Sequence, residues 1–343
     1  MVDVHRRFET ALHDTVDEWK RHDNVKGIFA YGSFVKGTAT ANSDLNIGIL
    51  WGADDAPVKL MSSHKEVIVS MVFMSISDVE SVLNGTNKDV TKIAEVINRL
   101  RNSRVVHDTD GLVKRWQEKI VGYAWSEDSI SQVKNIAMEH LSRARKFAEE
   151  DEGPSAIHEL RQGIFNLGRV VVMINNIFMI LKPAEVLTEV RLLDPITYSL
   201  FLRAFKLKGM NETKLLKVLD DIRQWIEIAE SRIDSVTVDE QAMLATELLS
   251  QAQREYRGAL SLTYSGDYEL ALLEMRQAAF SLGRALITLK EFSSFVDGAF
   301  MDQLGETEPV FYEEILIEHG AYDILPKEII RIISEAEFIS QRL

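Results

Sequence analysis

Val4, Phe8, Leu12, Val16 and Trp19 recur at intervals of three and four residues, which predicts an amphipathic helix over residues 3–22. The period then shortens. Val25–Tyr31 and Leu45–Trp51 are short apolar runs bounded by polar residues and glycine, and both read as strands. Residues 66–74, EVIVSMVFM, are rich in β-branched side chains and read as a third. Helical spacing returns over residues 77–83 and 90–99. Arg104-Val105-Val106-His107 reads as a last short strand, with Asp110 expected to cap the helix after it. Residues 1–125 are therefore expected to form an α+β unit, a small mixed sheet with flanking helices.

From residue 126 onward strand signals all but vanish. Long amphipathic stretches are broken at Gly153-Pro154, Lys182-Pro183, Asp194-Pro195, Gly209, Ser265-Gly266-Asp267 and Glu308-Pro309, so residues 126–343 are expected to be all helical. This part contains a repeat. Residues 156–174 (AIHELRQGIFNLGRVVVMI) and 271–289 (ALLEMRQAAFSLGRALITL) agree at eight of nineteen positions with an offset of 115 and no gap. Ala137/Ala252 and Ala144/Ala259 extend the register upstream, giving two related helical modules over residues 130–182 and 245–297. Leu160, Ile164, Leu167, Val171 and Ile174 form one apolar stripe; Met275, Ala279, Leu282, Leu286 and Leu289 form its counterpart. Gly168 and Gly283 each cost about 1 kcal/mol of helix propensity against alanine, so a closely approaching neighbour is expected at both. Arg161/Arg276, Gln162/Gln277 and Arg169/Arg284 also repeat. They either line a ligand groove or bond a neighbouring carboxylate or loop carbonyl, the commoner role for such arginines.

Composition narrows the function classes. Apolar residues make up 46% of the 343, and six prolines and eighteen glycines suit long regular elements. The longest greasy run, residues 170–181, is interrupted by Asn175 and Asn176 and is too short to cross a bilayer. The N-terminal stretch MVDVHRRFETALHD has no signal-peptide apolar core, so a cytoplasmic protein with no membrane partner is expected. Without cysteine there is no disulfide, no thiolate zinc site and no cysteine nucleophile, and the eight histidines show no zinc-like spacing. A net charge of −14 argues against extended binding to DNA or RNA, which relies on neutralising phosphates. From Asp297 onward eleven acidic residues face three basic ones, the pattern of a solvated helical tail.

Candidate chemistry concentrates in residues 30–50, AYGSFVKGTATANSDLNIGIL. Gly32-Ser33, Gly37 and Ser43-Asp44-Leu45-Asn46 follow one predicted strand and open another. In that order they resemble the signature of the polymerase-β-type nucleotidyltransferase superfamily: a Gly-Ser pair, a spacer, then Asp-x-Asp, with a third carboxylate on a later strand. The resemblance extends over residues 1–125, including the strand at 66–74 and the segment from Arg104 to Gly111. The helical part resembles the bundles that accompany kanamycin nucleotidyltransferase and the minimal nucleotidyltransferases paired with HEPN proteins. No Arg-x-x-x-x-His occurs in it, so the ribonuclease activity of HEPN proteins is not expected.

The resemblance implies a nucleoside triphosphate held at Gly32, Ser33, Gly37 and Ser43, with Mg²⁺ at Asp44 if the protein is active. A Gly-Ser turn can offer backbone N–H groups and a hydroxyl to phosphate oxygens. Carboxylates two apart on a strand share a face and can clamp two Mg²⁺ ions together with the third. Here only Asp44 is acidic. Asn46 fills the second position with an amide, and aligning residues 69–73 with the later strand puts Ser70 at the third, so the metal triad is degenerate. Glu66 lies four residues earlier on that strand, and Asp54 and Asp55 lie in the preceding loop. The expectation is a divergent member that binds a nucleoside triphosphate with weak or absent two-metal transfer of a nucleotidyl group to a small-molecule or protein acceptor. The alternative is a non-catalytic regulatory or interaction module that keeps only the fold. A homo-oligomeric assembly stays open.

Overall fold

A computed structural model of the chain describes residues 4–40, 43–53, 56–57, 59–64, 67–290 and 299–343. The chain divides into two compact units, Met1–Ser129 and Ile130–Leu343. As expected, the first is α+β and the second helical.

The N-terminal unit opens with α1 (Val4–Trp19) and continues through β1 (Val25–Tyr31), β2 (Leu45–Trp51), β3 (Lys59–His64) and β4 (Val67–Ser75). The helices α2 (Ile76–Leu83) and α3 (Val90–Arg101) follow, then β5 (Arg104–Asp108) and α4 (Leu112–Val121). The five strands form one mixed sheet in the order β3-β4-β2-β1-β5. β2 runs parallel to β4, and the other pairs are antiparallel. Alternation decides what each face does. Ile28 and Ala30 of β1, Leu45, Ile47 and Ile49 of β2 and Val67, Val69 and Met71 of β4 are buried together with Phe8, Ala11 and Leu12 of α1. The opposite face includes Gly48, where a β-carbon would fall 2.2 Å from the Phe29 ring, so only glycine lets that ring cross the strand.

One strand was not anticipated in this unit, and one local expectation fails. β3 was not legible as a strand. It is an edge strand whose Leu60 and Met61 are exposed, and its Ser62-Ser63 pair carries no β-branched signal. Asp110 does not cap α4. Gly111 adopts a left-handed conformation before the helix, and Asp108, at the end of β5, accepts hydrogen bonds from Val113 N (3.2 Å) and Lys114 N (3.2 Å) instead.

The helical unit comprises α5 (Glu127–Glu149), α6 (Gly153–Ile174), α7 (Pro183–Leu193), α8 (Pro195–Ala204) and α9 (Glu212–Ile233). It continues with α10 (Asp239–Ser265), α11 (Tyr268–Lys290), α12 (Phe300–Thr307), a π-helical turn at Tyr312–Ile317 and a C-terminal helix, Pro326–Arg342. The start of α5 falls before the unit boundary. The glycine and proline punctuation lies between or at the ends of these helices. The end of the second expected module, residues 291–297, lies outside the described residues. The two repeated glycines do admit close neighbours: a β-carbon on Gly168 would meet Phe201 at 2.7 Å, and one on Gly283 would meet Leu304 at 3.0 Å. None of the described helices is long and apolar enough to cross a membrane.

The offset of 115 also exposes a difference between the copies. Glu159 in α6 is buried and accepts from His140 Nδ1 (2.8 Å) and Arg143 Nε (2.8 Å) of α5. Burial pushes its carboxyl up, but those hydrogen bonds and charges outweigh it and hold the pKa below the usual carboxylate range. The corresponding residue Glu274 is equally buried, yet positions 255 and 258 hold Glu255 and Gly258 where the first copy has His140 and Arg143. Burial first, and then the charge of Glu255, push Glu274 up to about 7, against the opposing charge of Lys182 and a backbone hydrogen bond from Ala184. Burial raises Glu255 as well, despite an amide bond from Gln251 at 2.9 Å.

Two expectations follow from this packing. Gly48→Ala drives a methyl group into the Phe29 ring, and the denaturant midpoint of the N-terminal unit should fall by an amount equivalent to about 1–3 kcal/mol. In the helical unit, the folded chain keeps the Glu274 proton between about pH 4.5 and about 7 while the unfolded chain releases it. Stability should therefore decline as pH rises through that window, by up to about 3 kcal/mol. Glu274→Gln should flatten the decline and melt above the native chain at pH 8; an unchanged pH profile would contradict the assignment.

Candidate functional site

The segment between β1 and β2 carries the Gly-Ser motif. Gly32 follows the last residue of β1 with φ +84°, a left-handed conformation that lets the chain leave the sheet sharply. The chain then closes a tight turn. Lys36 N donates to Gly32 O (3.1 Å), Gly37 N to Phe34 O (3.2 Å) and Thr38 N to Ser33 O (2.9 Å), with Gly37 also left-handed. The turn does not continue into a helix. Among the described residues none accepts from the backbone N–H of Ser33, Phe34 or Val35, which leaves three consecutive donors on the turn.

Phe34 fastens this turn to the core. It is 4% exposed, and its ring stacks on Phe8 with centroids 5.5 Å apart. Arg104 of β5 lies over the Phe34 ring, 5.0 Å from its centroid, and forms a two-pronged pair with Glu9 at 2.6 and 2.9 Å. The hydrogen bond from Arg104 is the main reason the Glu9 carboxyl sits below its ordinary pKa. A helix, a strand and the turn are thereby tied at one place.

Ser43 does not stand free beside the turn. Its N–H donates to Thr40 O (3.1 Å), and its Oγ accepts from Thr40 N (3.0 Å) and shares a hydrogen bond with Thr40 Oγ1 (3.2 Å). It closes the entry into β2. Asp44 comes next, partly buried and two residues before Asn46, the spacing that puts alternate side chains on one face.

Register brings the remaining positions together. Asn46 pairs with Tyr31 of β1 on one side and with Ser70 of β4 on the other, and Ser70 pairs onward with Met61 of β3. Ser70 is 5% exposed, so the third position is both neutral and shielded from water. The Asn46 amide is already engaged: its Nδ2 donates to Asp44 O at 3.3 Å and lies 3.1 Å from where a Gly32 β-carbon would be. Gly32, Asp44, Asn46 and Ser70 thus form one cluster, with the Ser33 turn leaving from Gly32. Tyr31, Glu95 and Arg99 adjoin it and were not singled out from the sequence. Burial pushes the Tyr31 phenol up, with the charge and hydrogen bond of Arg99 opposing, while Arg99 pairs with Glu95 at 3.2 Å. Their only sequence signal was an i, i+4 charge pair on α3.

This donor set does not fit two Mg²⁺ ions. Hard dications take anionic oxygens, and the row offers one carboxylate, one amide and one buried hydroxyl. Among the described residues no three His, Asp or Glu side chains form a cluster that could hold a metal. Glu66, Asp54 and Asp55 lie outside the described residues.

No family model matches the chain, and no curated protein does. Among solved structures, it is similar to a crystal structure of a nucleotidyltransferase-like protein from Exiguobacterium sibiricum 255-15, at 12% identity, with 91% of each chain covered and a TM-score of 0.41.

Restoring charge tests the cluster. In Asn46→Asp with Ser70→Asp, two new carboxylates stand beside Asp44, one facing its carbonyl and the other buried. The double variant should melt below the native chain without metal, since buried unpaired carboxylates destabilise. Millimolar Mn²⁺ should recover several degrees in the variant and almost none in the native chain. Equal Mn²⁺ responses would show that the three side chains do not converge.

Proposed function

We propose that the N-terminal unit is a nucleotidyltransferase-like module that binds the phosphates of a nucleoside triphosphate at the Gly32–Thr38 turn and performs little or no two-metal transfer. The observation that carries this reading is the β2–β4 register, which sets neutral Asn46 beside neutral, buried Ser70 in the row where two-metal transfer needs carboxylates. Binding is supported by the left-handed Gly32 and Gly37, which bracket three adjacent N–H groups without an acceptor among the described residues, and by the Phe34 anchor that holds them in place before any ligand arrives. The order of the motif along the sheet supports the superfamily assignment: turn after β1, Asp44 at the mouth of β2, and a parallel β4 beside it. In this reading Ser33 contributes a hydroxyl to the phosphates, and Asp44 can at most steady one cation carried in with the nucleotide.

Calorimetry with ATP and GTP checks this directly. The native chain should bind one or both with an affinity that changes only slightly when Mg²⁺ is chelated. Gly37→Val, which forces a β-branched side chain into the left-handed turn, should weaken binding by about tenfold or more. Asp44→Ala should remove whatever small Mg²⁺ enhancement exists. Transfer of labelled nucleotide to any acceptor, lost in Asp44→Ala, would instead mark a working enzyme; absence of any triphosphate binding would leave only the interaction-module alternative.

A further inference from the structure

Arg161 and Arg276, 115 positions apart and equivalent in the repeat, meet at one cavity of the helical unit. Its volume is about 50 Å³, several times what a single water needs. Each copy supplies the same dipeptide to the wall: Arg161-Gln162 from α6 and Arg276-Gln277 from α11. Phe205, Leu273, Met275 and Phe280 supply an apolar remainder.

The two arginines are placed differently. Arg161 is 6% exposed and structurally used: Nε donates to Ala204 O (3.0 Å), Nη2 donates to Ala321 O (2.8 Å), and the guanidinium lies over the Tyr322 ring at 4.7 Å. Arg276 makes a long bond from Nε to His319 O at 3.4 Å. Its Nη1 is buried and has no hydrogen-bond partner among the described residues. Among the described residues neither arginine is ion-paired. The acid whose charge reaches both, Asp323, is held by Lys206 at 2.7 Å, and Asp221 lies 3.6 Å from His319. Burial, and then the charge of Arg161, draw the Arg276 pKa well down, as expected where two cations share a dry wall.

The backbone around the cavity is unusual in the same place. The π-helical turn Tyr312–Ile317 contributes Ile315 and Leu316 to the wall, and such turns gather at functional sites. A short turn later, Ala321 adopts φ +54°, a left-handed conformation that side-chain-bearing residues rarely take, and its carbonyl is the one that receives Arg161. Gly320 precedes it because a β-carbon there would fall 2.4 Å from the Tyr322 ring. Two irregularities thus hold Tyr322 over one arginine while the other keeps an unused donor in the cavity.

We propose that this cavity is a binding site for a phosphate dianion, free or as the head of a small phosphomonoester, gripped between Arg161 and Arg276. Arg276 presents the fork, with Nη1 unpartnered among the described residues, and Arg161, held by two loop carbonyls, adds the second charge; a phosphate dianion matches two charges and a monoanionic carboxylate only half satisfies them. Gln162 and Gln277 add amide donors, and the apolar wall accommodates the body of an ester. The site is independent of the triphosphate reading of the N-terminal unit and needs no metal.

Calorimetry on the full chain at constant ionic strength, with inorganic phosphate, phenyl phosphate and benzoate, tests it. Phosphate should bind, phenyl phosphate should bind at least as well, and benzoate should bind at least about tenfold more weakly. Arg276→Gln should weaken phosphate by about tenfold or more, and Arg276→Lys should fall between, because it keeps the charge and loses the fork. Gly37→Val, which disrupts the N-terminal turn, should leave phosphate affinity unchanged, which separates this site from the N-terminal one. Without phosphate, Arg276→Gln should melt no lower than the native chain, since it removes a cation whose buried Nη1 has no partner among the described residues. Phosphate binding that survives Arg276→Gln, benzoate binding as tight as phenyl phosphate, no phosphate binding at all, or a large melting loss in phosphate-free Arg276→Gln would each overturn the assignment.

Discussion

A divalent cation held at the mouth of a sheet needs anionic oxygens on one face, and strand register decides which side chains stand there. In the N-terminal unit the parallel pairing of β2 with β4 makes Asn46 and Ser70 neighbours and gives that row no second carboxylate. Phe34, Phe8, Glu9 and Arg104 tie the glycine-flanked turn to helix and strand, which fixes its backbone donors beside that row.

The helical unit shows a separation between scaffold and polar content. Its two copies share apolar stripes and admit close neighbours at both glycines, yet the buried glutamate has cationic partners in one copy and a second carboxylate in the other. Likewise Arg161 is consumed by loop carbonyls and an aromatic ring, while Arg276 retains an unused donor. Arg169 takes the carbonyl role expected of a structural arginine, donating to Ile180 O at 3.0 Å. Apolar periodicity constrains where helices pack; it leaves the partners of each buried charge free to diverge.

Much of the fold was legible because local signals agreed with the tertiary outcome. Val25–Tyr31 and Leu45–Trp51 are apolar between polar and glycine boundaries and are strands over those residues. Where solvent takes over, the signal fades: β3 has exposed Leu60 and Met61 and a serine pair, so nothing in its composition distinguishes an edge strand from a loop. The cap of α4 was misplaced by two residues because Gly111 turns the chain and lets Asp108 reach back, a geometry that no residue type announces. At the site, the motif spacing pointed to Gly32, Ser33, Asp44 and Asn46; Ser43 is taken up by a local turn with Thr40, and the presence of Tyr31, Glu95 and Arg99 depends on contacts across the fold. The cavity around Arg276 is more distant still, since Tyr322 and Arg161 come from opposite ends of the unit.

Counting Mn²⁺ bound per chain by electron paramagnetic resonance, with a non-hydrolysable triphosphate present, probes the charge of the β2–β4 row most directly. One ion or none, with no further uptake as Mn²⁺ rises through the low millimolar range, is the result this account requires. Two tightly held, magnetically coupled ions that disappear in Asp44→Ala would contradict it.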